Sequence, residues 1–137
     1  MSYAGDLTPQ EAWAVLQENT EAVLVDCRTQ AEWDFVGVPE LASLGRQTLF
    51  VEWIDYPSGS VNSEFVQELR RAGIDDDAEV LFLCRSGARS IAAAEAATAA
   101  GIGKAYNILD GFEGGLDAQN HRGDRGWRAE GLPWRQG

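Results

Sequence analysis

Residues Cys84-Arg85-Ser86-Gly87-Ala88-Arg89-Ser90 bring a thiol, two guanidinium groups, two hydroxyls and a glycine into one short segment. The apolar run Val80-Leu81-Phe82-Leu83 precedes them, and the alanine-rich run from Ile91 to Ala100 follows. That order reads as strand, tight loop, helix, with the cysteine opening the loop. A thiol in this position meets the positive end of a helix dipole, and the backbone N–H groups of residues 85–90 are expected to turn towards it. Both effects favour the thiolate. Gly87 lets the chain turn tightly without a side chain blocking the pocket. Arg85 is placed to attract an anion, and Arg89 to anchor the loop or the bound anion at the helix start. The segment suits a nucleophilic cysteine that works on anions, with Cys84 as its catalytic residue and Arg85, Ser86, Gly87, Ala88, Arg89 and Ser90 around the substrate.

The remaining reactive side chains are few. Cys27 ends an apolar run with no glycine loop after it, which suits a core position; its sharper role is a resolving thiol for Cys84. Asp26, Arg28 and Glu32 are read as an ion-pair network tying a strand end to the next helix. Two separated cysteines and the single histidine, His121, offer no disulfide framework and no metal-ligand spacing, so neither a metal nor an organic cofactor is expected.

The elements that must carry these residues can be read from local signals. Thr8-Pro9-Gln10-Glu11 is a capping box with proline at the first helical position, predicting a helix to about Asn19. Ala22 to Asp26 is a short apolar strand of the kind buried on both faces. Thr29-Gln30-Ala31-Glu32 is a second capping box and starts a short helix carrying Trp33. Thr48 to Ile54 is predicted as a strand and Asp55 to Ser60 as a loop. Asn62 is predicted to cap a helix through Arg71, stopped by Gly73. Val80 to Leu83, the helix from Ser90 to Ala100 and the strand Ala105 to Leu109 complete the alternation. Strands alternating with helices predict an α/β fold of three layers, a mostly parallel sheet with helices on both faces. Ligands of such sheets gather at the carboxyl ends of the strands, where Asp26, Cys27 and Cys84 all fall.

Composition narrows the partners. With 45% apolar and 24% charged residues in 137, the chain reads as one globular domain, its residues 119–137 a tail packed on the core. The formal net charge of −11 argues against nucleic acid and anionic membranes. Positive charge is concentrated in the active loop and in the tail, where Arg122, Arg125, Arg128 and Arg135 face only Asp124 and Glu130. No apolar stretch approaches the roughly 20 residues of a membrane helix. Residues 1–6 have neither the basic start nor the apolar core of a signal peptide, so a cytoplasmic location is expected.

Nearly the whole chain resembles the rhodanese-like sulfurtransferases of the single-domain, thiosulfate type. Leu24-Val25-Asp26-Cys27-Arg28 with Glu32-Trp33 and Gly37 resembles the family's first signature. Cys84 to Ser90 resembles its active loop, and Gly126-Trp127 through Gly131-Leu132-Pro133-Trp134 its closing segment. One stretch departs: the family's usual Gly-His-Ile-Pro-Gly-Ala is here Gly37-Val38-Pro39-Glu40-Leu41. The resemblance implies that Cys84 takes a sulfane sulfur from thiosulfate or a related small anionic donor, holds it as a persulfide, and yields it to cyanide or a thiol. A persulfide carrier serving a protein acceptor, or a partner-binding redox module, is the alternative. A cysteine phosphatase or arsenate reductase is the weaker one, since those enzymes generally set five residues between cysteine and arginine and Cys84 and Arg89 enclose a shorter loop.

Overall fold

The computed structural model describes residues 2–55, 58–116, 118, 119, 121, 123 and 125–136. Tyr56 and Pro57 of the expected loop, and Arg122 and Asp124 of the tail, lie outside them. The elements run β1 (Gly5–Leu7), α1 (Pro9–Glu18), β2 (Val23–Asp26), α2 (Gln30–Phe35), β3 (Val38–Pro39), β4 (Leu49–Phe50), α3 (Phe65–Arg71), β5 (Glu79–Leu83), α4 (Ala88–Ala99), β6 (Lys104–Ile108) and β7 (Trp134–Arg135). Five strands form one parallel sheet in the order β1-β6-β5-β2-β4. This is the α/β architecture that the alternating pattern predicts.

Strand alternation sends side chains to opposite faces and so builds two cores. On one face Val25, Val80 and Phe82 pack with Phe65 and Leu69 of α3 and with Ala93, Ala94 and Ala97 of α4. The small alanines let α4 lie close against the sheet. On the other face Leu24, Leu81, Leu83 and Ile108 pack with Ala12 and Leu16 of α1 and with Leu41, Phe112 and Trp127. Trp127, fully buried, meets Trp13 edge-on at 5.8 Å.

Both capping boxes form. The Thr8 side chain accepts from the Glu11 N–H and that of Thr29 from the Glu32 N–H, while each glutamate accepts from the cap residue's own N–H. The far end of α1 is closed by a residue distant in sequence. Arg46 Nη1 donates to the carbonyls of Asn19, Thr20 and Ala22, and Nη2 to that of Leu16. A cation on those carbonyls opposes the negative end of the helix dipole.

Three boundaries differ from the sequence reading. The strand expected over 48–54 is regular only at Leu49–Phe50; the Val51 and Trp53 N–H groups still donate to the Asp26 and Cys27 carbonyls, and Ile54 then makes an isolated antiparallel bridge with Val61. Asn62 does not begin α3: its Oδ1 accepts from the Glu64 N–H and its Nδ2 donates to the Glu52 carbonyl, forming a turn that delays the helix to Phe65. Helix α4 begins at Ala88 rather than Ser90, so Arg89 and Ser90 belong to its first turn. Two unexpected pieces complete the frame: β1 at the sheet's edge, and the antiparallel pair β3–β7, in which Val38 faces Arg135 and Pro39 faces Trp134. That ribbon joins the stretch that departs from the family pattern to the closing segment. It requires Gly37, whose φ is 116° and whose added Cβ would come within 2.9 Å of the Arg135 carbonyl oxygen.

At the carboxyl end of β2, Asp26 and Arg28 form an ion pair at 2.6 Å with both side chains fully buried. Arg28 also donates to the Gly37 carbonyl at 2.7 Å, and the Phe112 ring lies 4.4 Å from its Cζ. Its Nη1 has no hydrogen-bond partner among the described residues, so the aromatic face is what it has in exchange for water. Removing one member of such a pair strands a buried charge. Arg28→Met is therefore expected to lower unfolding stability by about 3–5 kcal/mol, read as a shift in the urea midpoint at unchanged slope. A loss below about 1 kcal/mol, the value of an exposed pair, would contradict this account.

Candidate active site

Strand β5 delivers Cys84 to the carboxyl edge of the sheet, and Gly87, at φ 112°, turns the chain into α4. Cys84 is 1% exposed. Its Sγ accepts from the Gly87 N–H at 3.1 Å and lies 3.2 Å from Ser90 Oγ. Among the N–H groups of the loop, Gly87's is the one bonded to Sγ, where a ring of donors was expected. The sulfur itself reaches only the donor next to the turn. The thiol stands at the start of the twelve-residue α4, with that helix's positive end towards it.

The two loop arginines have different surroundings. Arg85 is exposed and its side chain bonds to none of the described residues. Arg89 is half-buried and forks onto Glu32, Nη1 to Oε1 at 2.7 Å and Nη2 to Oε2 at 2.9 Å. Burial alone would push the Glu32 carboxyl up, yet the bonds and charge of Arg89 outweigh it and hold the group below its usual range. Arg89 is raised in turn, first by that same bond. Ser86 is part-buried, Gly87 buried and Ala88 exposed. The expected network of Asp26, Arg28 and Glu32 thus separates into two pairs, Asp26 with Arg28 and Glu32 with Arg89.

Cys27 directly follows β2, the neighbouring strand. Its N–H donates to the Leu83 carbonyl at 2.8 Å, and its thiol donates to the same oxygen at 3.3 Å. Asp26 faces Leu83 in the register, so Cys27 and Cys84 are neighbours one step further, packed in the same core cluster. Burial pushes the Cys27 thiol well above its ordinary value, and Cys84 and Asp26 add to the effect. Both cysteines are free thiols.

Sequence reasoning missed the turn that holds the loop. The Phe112 N–H donates to the Cys84 carbonyl at 2.8 Å and the Glu113 N–H to the Arg85 carbonyl at 2.9 Å. Gly111 makes the approach possible: a Cβ there would lie 2.6 Å from the Arg85 carbonyl carbon and closer still to the Cys84 oxygen. The tail supports the turn from behind, where the Trp127 N–H donates to the Gly111 carbonyl at 2.8 Å. The glycines at 111, 114 and 126 were the available signal, since each marks a crowded or left-handed position. Also missed was Asn107 on β6, whose Oδ1 is 2.5 Å from Ser90 Oγ.

Other features are remote. Two surface hollows of about 570 Å³ each open near the amino ends of the strands, lined by residues such as Glu21, Val23 and Gln47, and neither contains a residue of this loop. His121 is exposed. Among the described residues, no three His, Cys, Asp or Glu side chains gather as metal ligands would, and no helix is long and apolar enough to cross a membrane.

The STR4 middle domain family matches residues 5–137. The chain belongs to that family. An uncharacterised protein of Rickettsia rickettsii, an RP600 homolog, is 39% identical over 126 residues, covering 90% of this chain and 91% of its own length. The crystal structure of Rv0390 from M. tuberculosis is 62% identical with a TM-score of 0.90, over 99% of this chain and all of that one. A rhodanese-like domain protein from Staphylococcus aureus (20% identity, TM-score 0.58) covers 78% of this chain and 86% of its own. A polysulfide-sulfur transferase from Wolinella succinogenes (23% identity, TM-score 0.65) covers 96% and 78%. The fold is rhodanese-like.

Two outcomes follow from this geometry. Gly111→Ala should displace the loop and slow alkylation of Cys84 by iodoacetamide at least tenfold relative to wild type, with a smaller loss in global stability; an unchanged rate would show that the turn does not hold the thiol. For Cys27, a raised folded value means the folded protein keeps a proton that the unfolded chain loses. Its contribution is complete below the ordinary thiol value, about pH 8.5, and declines as pH rises beyond it. Urea midpoints from pH 7 to 10 should therefore fall more steeply in wild type than in Cys27→Val, and equal slopes would refute this.

Proposed function

We propose that this protein is a sulfurtransferase of the rhodanese type, with Cys84 as the nucleophile. The Cys84 thiolate attacks the outer sulfur of thiosulfate or a related small anionic donor; the new S–S bond forms as the donor's own S–S bond breaks, and sulfite leaves with that electron pair. Cyanide or a thiol then takes the outer sulfur and restores the thiolate. A persulfide handed to a partner protein is the same chemistry with a larger acceptor. Exposed Arg85 attracts the donor's anionic end, while the loop donors that Sγ does not engage serve the outer sulfur.

The observation that carries this reading is the state of Arg89. In a phosphatase-like loop the closing arginine must fork onto the substrate's oxygens. Here both ends of that fork lie on Glu32 at 2.7 and 2.9 Å, so Arg89 holds the loop to α2. A site with a buried nucleophilic sulfur, a short loop and its closing arginine already paired suits transfer of a single atom better than binding of a tetrahedral oxyanion. The likeness in fold to a polysulfide-sulfur transferase supports the same class.

Incubation with thiosulfate should add one cyanide-removable sulfur atom to the intact mass. Cys84→Ser should abolish the adduct and Cys27→Ser should retain it. An adduct that survives in Cys84→Ser, or protein that hydrolyses an aryl phosphate and ignores thiosulfate, would overturn the proposal.

A further inference from the structure

The Ser90 hydroxyl has one proton and three acceptors within reach: Asn107 Oδ1 at 2.5 Å, the Gly87 carbonyl at 3.1 Å and Cys84 Sγ at 3.2 Å. Ser90 and Asn107 are fully buried and Cys84 is 1% exposed, so bulk water does not supply a substitute. The Asn107 amide cannot turn its NH2 to Ser90, because Nδ2 donates to Asp6 Oδ1 at 3.0 Å and only an N–H can face that carboxylate. Tyr3 donates to the same Asp6 oxygen at 2.7 Å, and the register sets Asp6 directly beside Asn107. The oxygen of the Asn107 amide is therefore the one aimed at Ser90. With the short bond taking the hydroxyl proton, Ser90 Oγ has only lone pairs left for Sγ, and the bond between them needs its proton from the sulfur.

We infer that Asn107 is a positioning residue for the nucleophile: acting through Ser90, it holds the resting Cys84 as a hydrogen-bond donor, a thiol. Ionising the sulfur then requires the Ser90 proton to swing from Asn107 to Sγ, which leaves a buried amide oxygen without a donor. The neutral Gly87 carbonyl competes less well, since a charged acceptor makes the stronger bond. The inference takes from the proposed function only that Cys84 is the reactive sulfur, and it is tested by a reaction that needs no sulfur transfer.

Other groups also bear on Sγ. Cys27, with Asp26 behind it, faces it from β2; Arg89, paired with Glu32, from α4. Arg85 belongs to the loop itself, and Asp110 and Glu113 to the turn that grips it. All of these are unchanged when only Asn107 is replaced. The pH profile of Cys84 alkylation by iodoacetamide, followed by mass, should move to lower pH by about one unit in Asn107→Leu, equivalent to roughly tenfold faster reaction on the acid limb. In the Ser90→Ala background the same replacement should move nothing, because the link has gone. A profile that stays put in the first case, or moves equally in both, overturns the inference. A measurement on unaltered Asn107 covers a failure of that variant to fold. The infrared S–H band of Cys84, taken as wild type minus Cys84→Ser below the thiol's titration, should lie at the lowered frequency of a donor thiol. A band at the free-thiol frequency overturns the inference as well.

Discussion

A loop that turns back on itself at a buried sulfur leaves its first carbonyls facing the interior, and buried carbonyls need donors. The bonds from Phe112 and Glu113 to the carbonyls of Cys84 and Arg85 meet that requirement, and much of the site depends on them. They can form only because residue 111 has no side chain. Gly126 is equally constrained, since a Cβ there would lie 2.8 Å from the Gly111 carbonyl oxygen. The closing segment is thus a wedge: Trp127 fills the core, its backbone holds the turn, and the turn holds the loop.

Charge is arranged to the same end. Glu32 completes the capping box of α2 by accepting from the Thr29 N–H, and the same carboxylate receives both arms of Arg89. One side chain fixes the start of α2 and ties it to the start of α4. Behind the strand ends, the Asp26–Arg28 pair lies under the Phe112 ring, on the residue whose N–H reaches the Cys84 carbonyl. A buried ion pair adds little net stability against well-packed apolar groups. Here it gives the turn a ring contact of fixed direction, which an apolar cluster of the same volume would not.

Elements with a local cause were legible in the sequence. The capping boxes at Thr8 and Thr29, the apolar runs of β2 and β5, and the glycine stop after α3 each declare themselves within a few residues. Strands β1, β3 and β7 did not, because two or three residues carry no periodicity and their pairing is decided across the fold; β4 was expected, but over a longer span than the one that pairs. Asn62 shows the limit of a local signal: a good capping residue spent its bonds on Glu64 and Glu52 instead. The site divides in the same way. The cysteine loop was readable from composition and spacing. The pairing of Glu32 with Arg89, the grip of Phe112 on Cys84 and the Ser90–Asn107 bond join residues from different strands and helices, so no single stretch of chain contains them.

Two opposed influences therefore act on the buried sulfur. The start of α4 and the Gly87 N–H favour negative charge, while the chain from Asp6 through Asn107 to Ser90 favours a proton. On the sulfurtransferase reading the cysteine attacks a sulfur and is later released from that same atom, and such opposition then has a chemical use. A thiol that ionises too readily is the weaker nucleophile per ion, and one that ionises too reluctantly is seldom ready. On the sulfurtransferase reading, the edge strand β1 then has a role that its three residues would not suggest. It sets Asp6 beside Asn107, so that the amide presents its oxygen and not its nitrogen to Ser90. The orientation of one buried amide at the rim of the sheet links the fold's least conspicuous strand to its reactive atom.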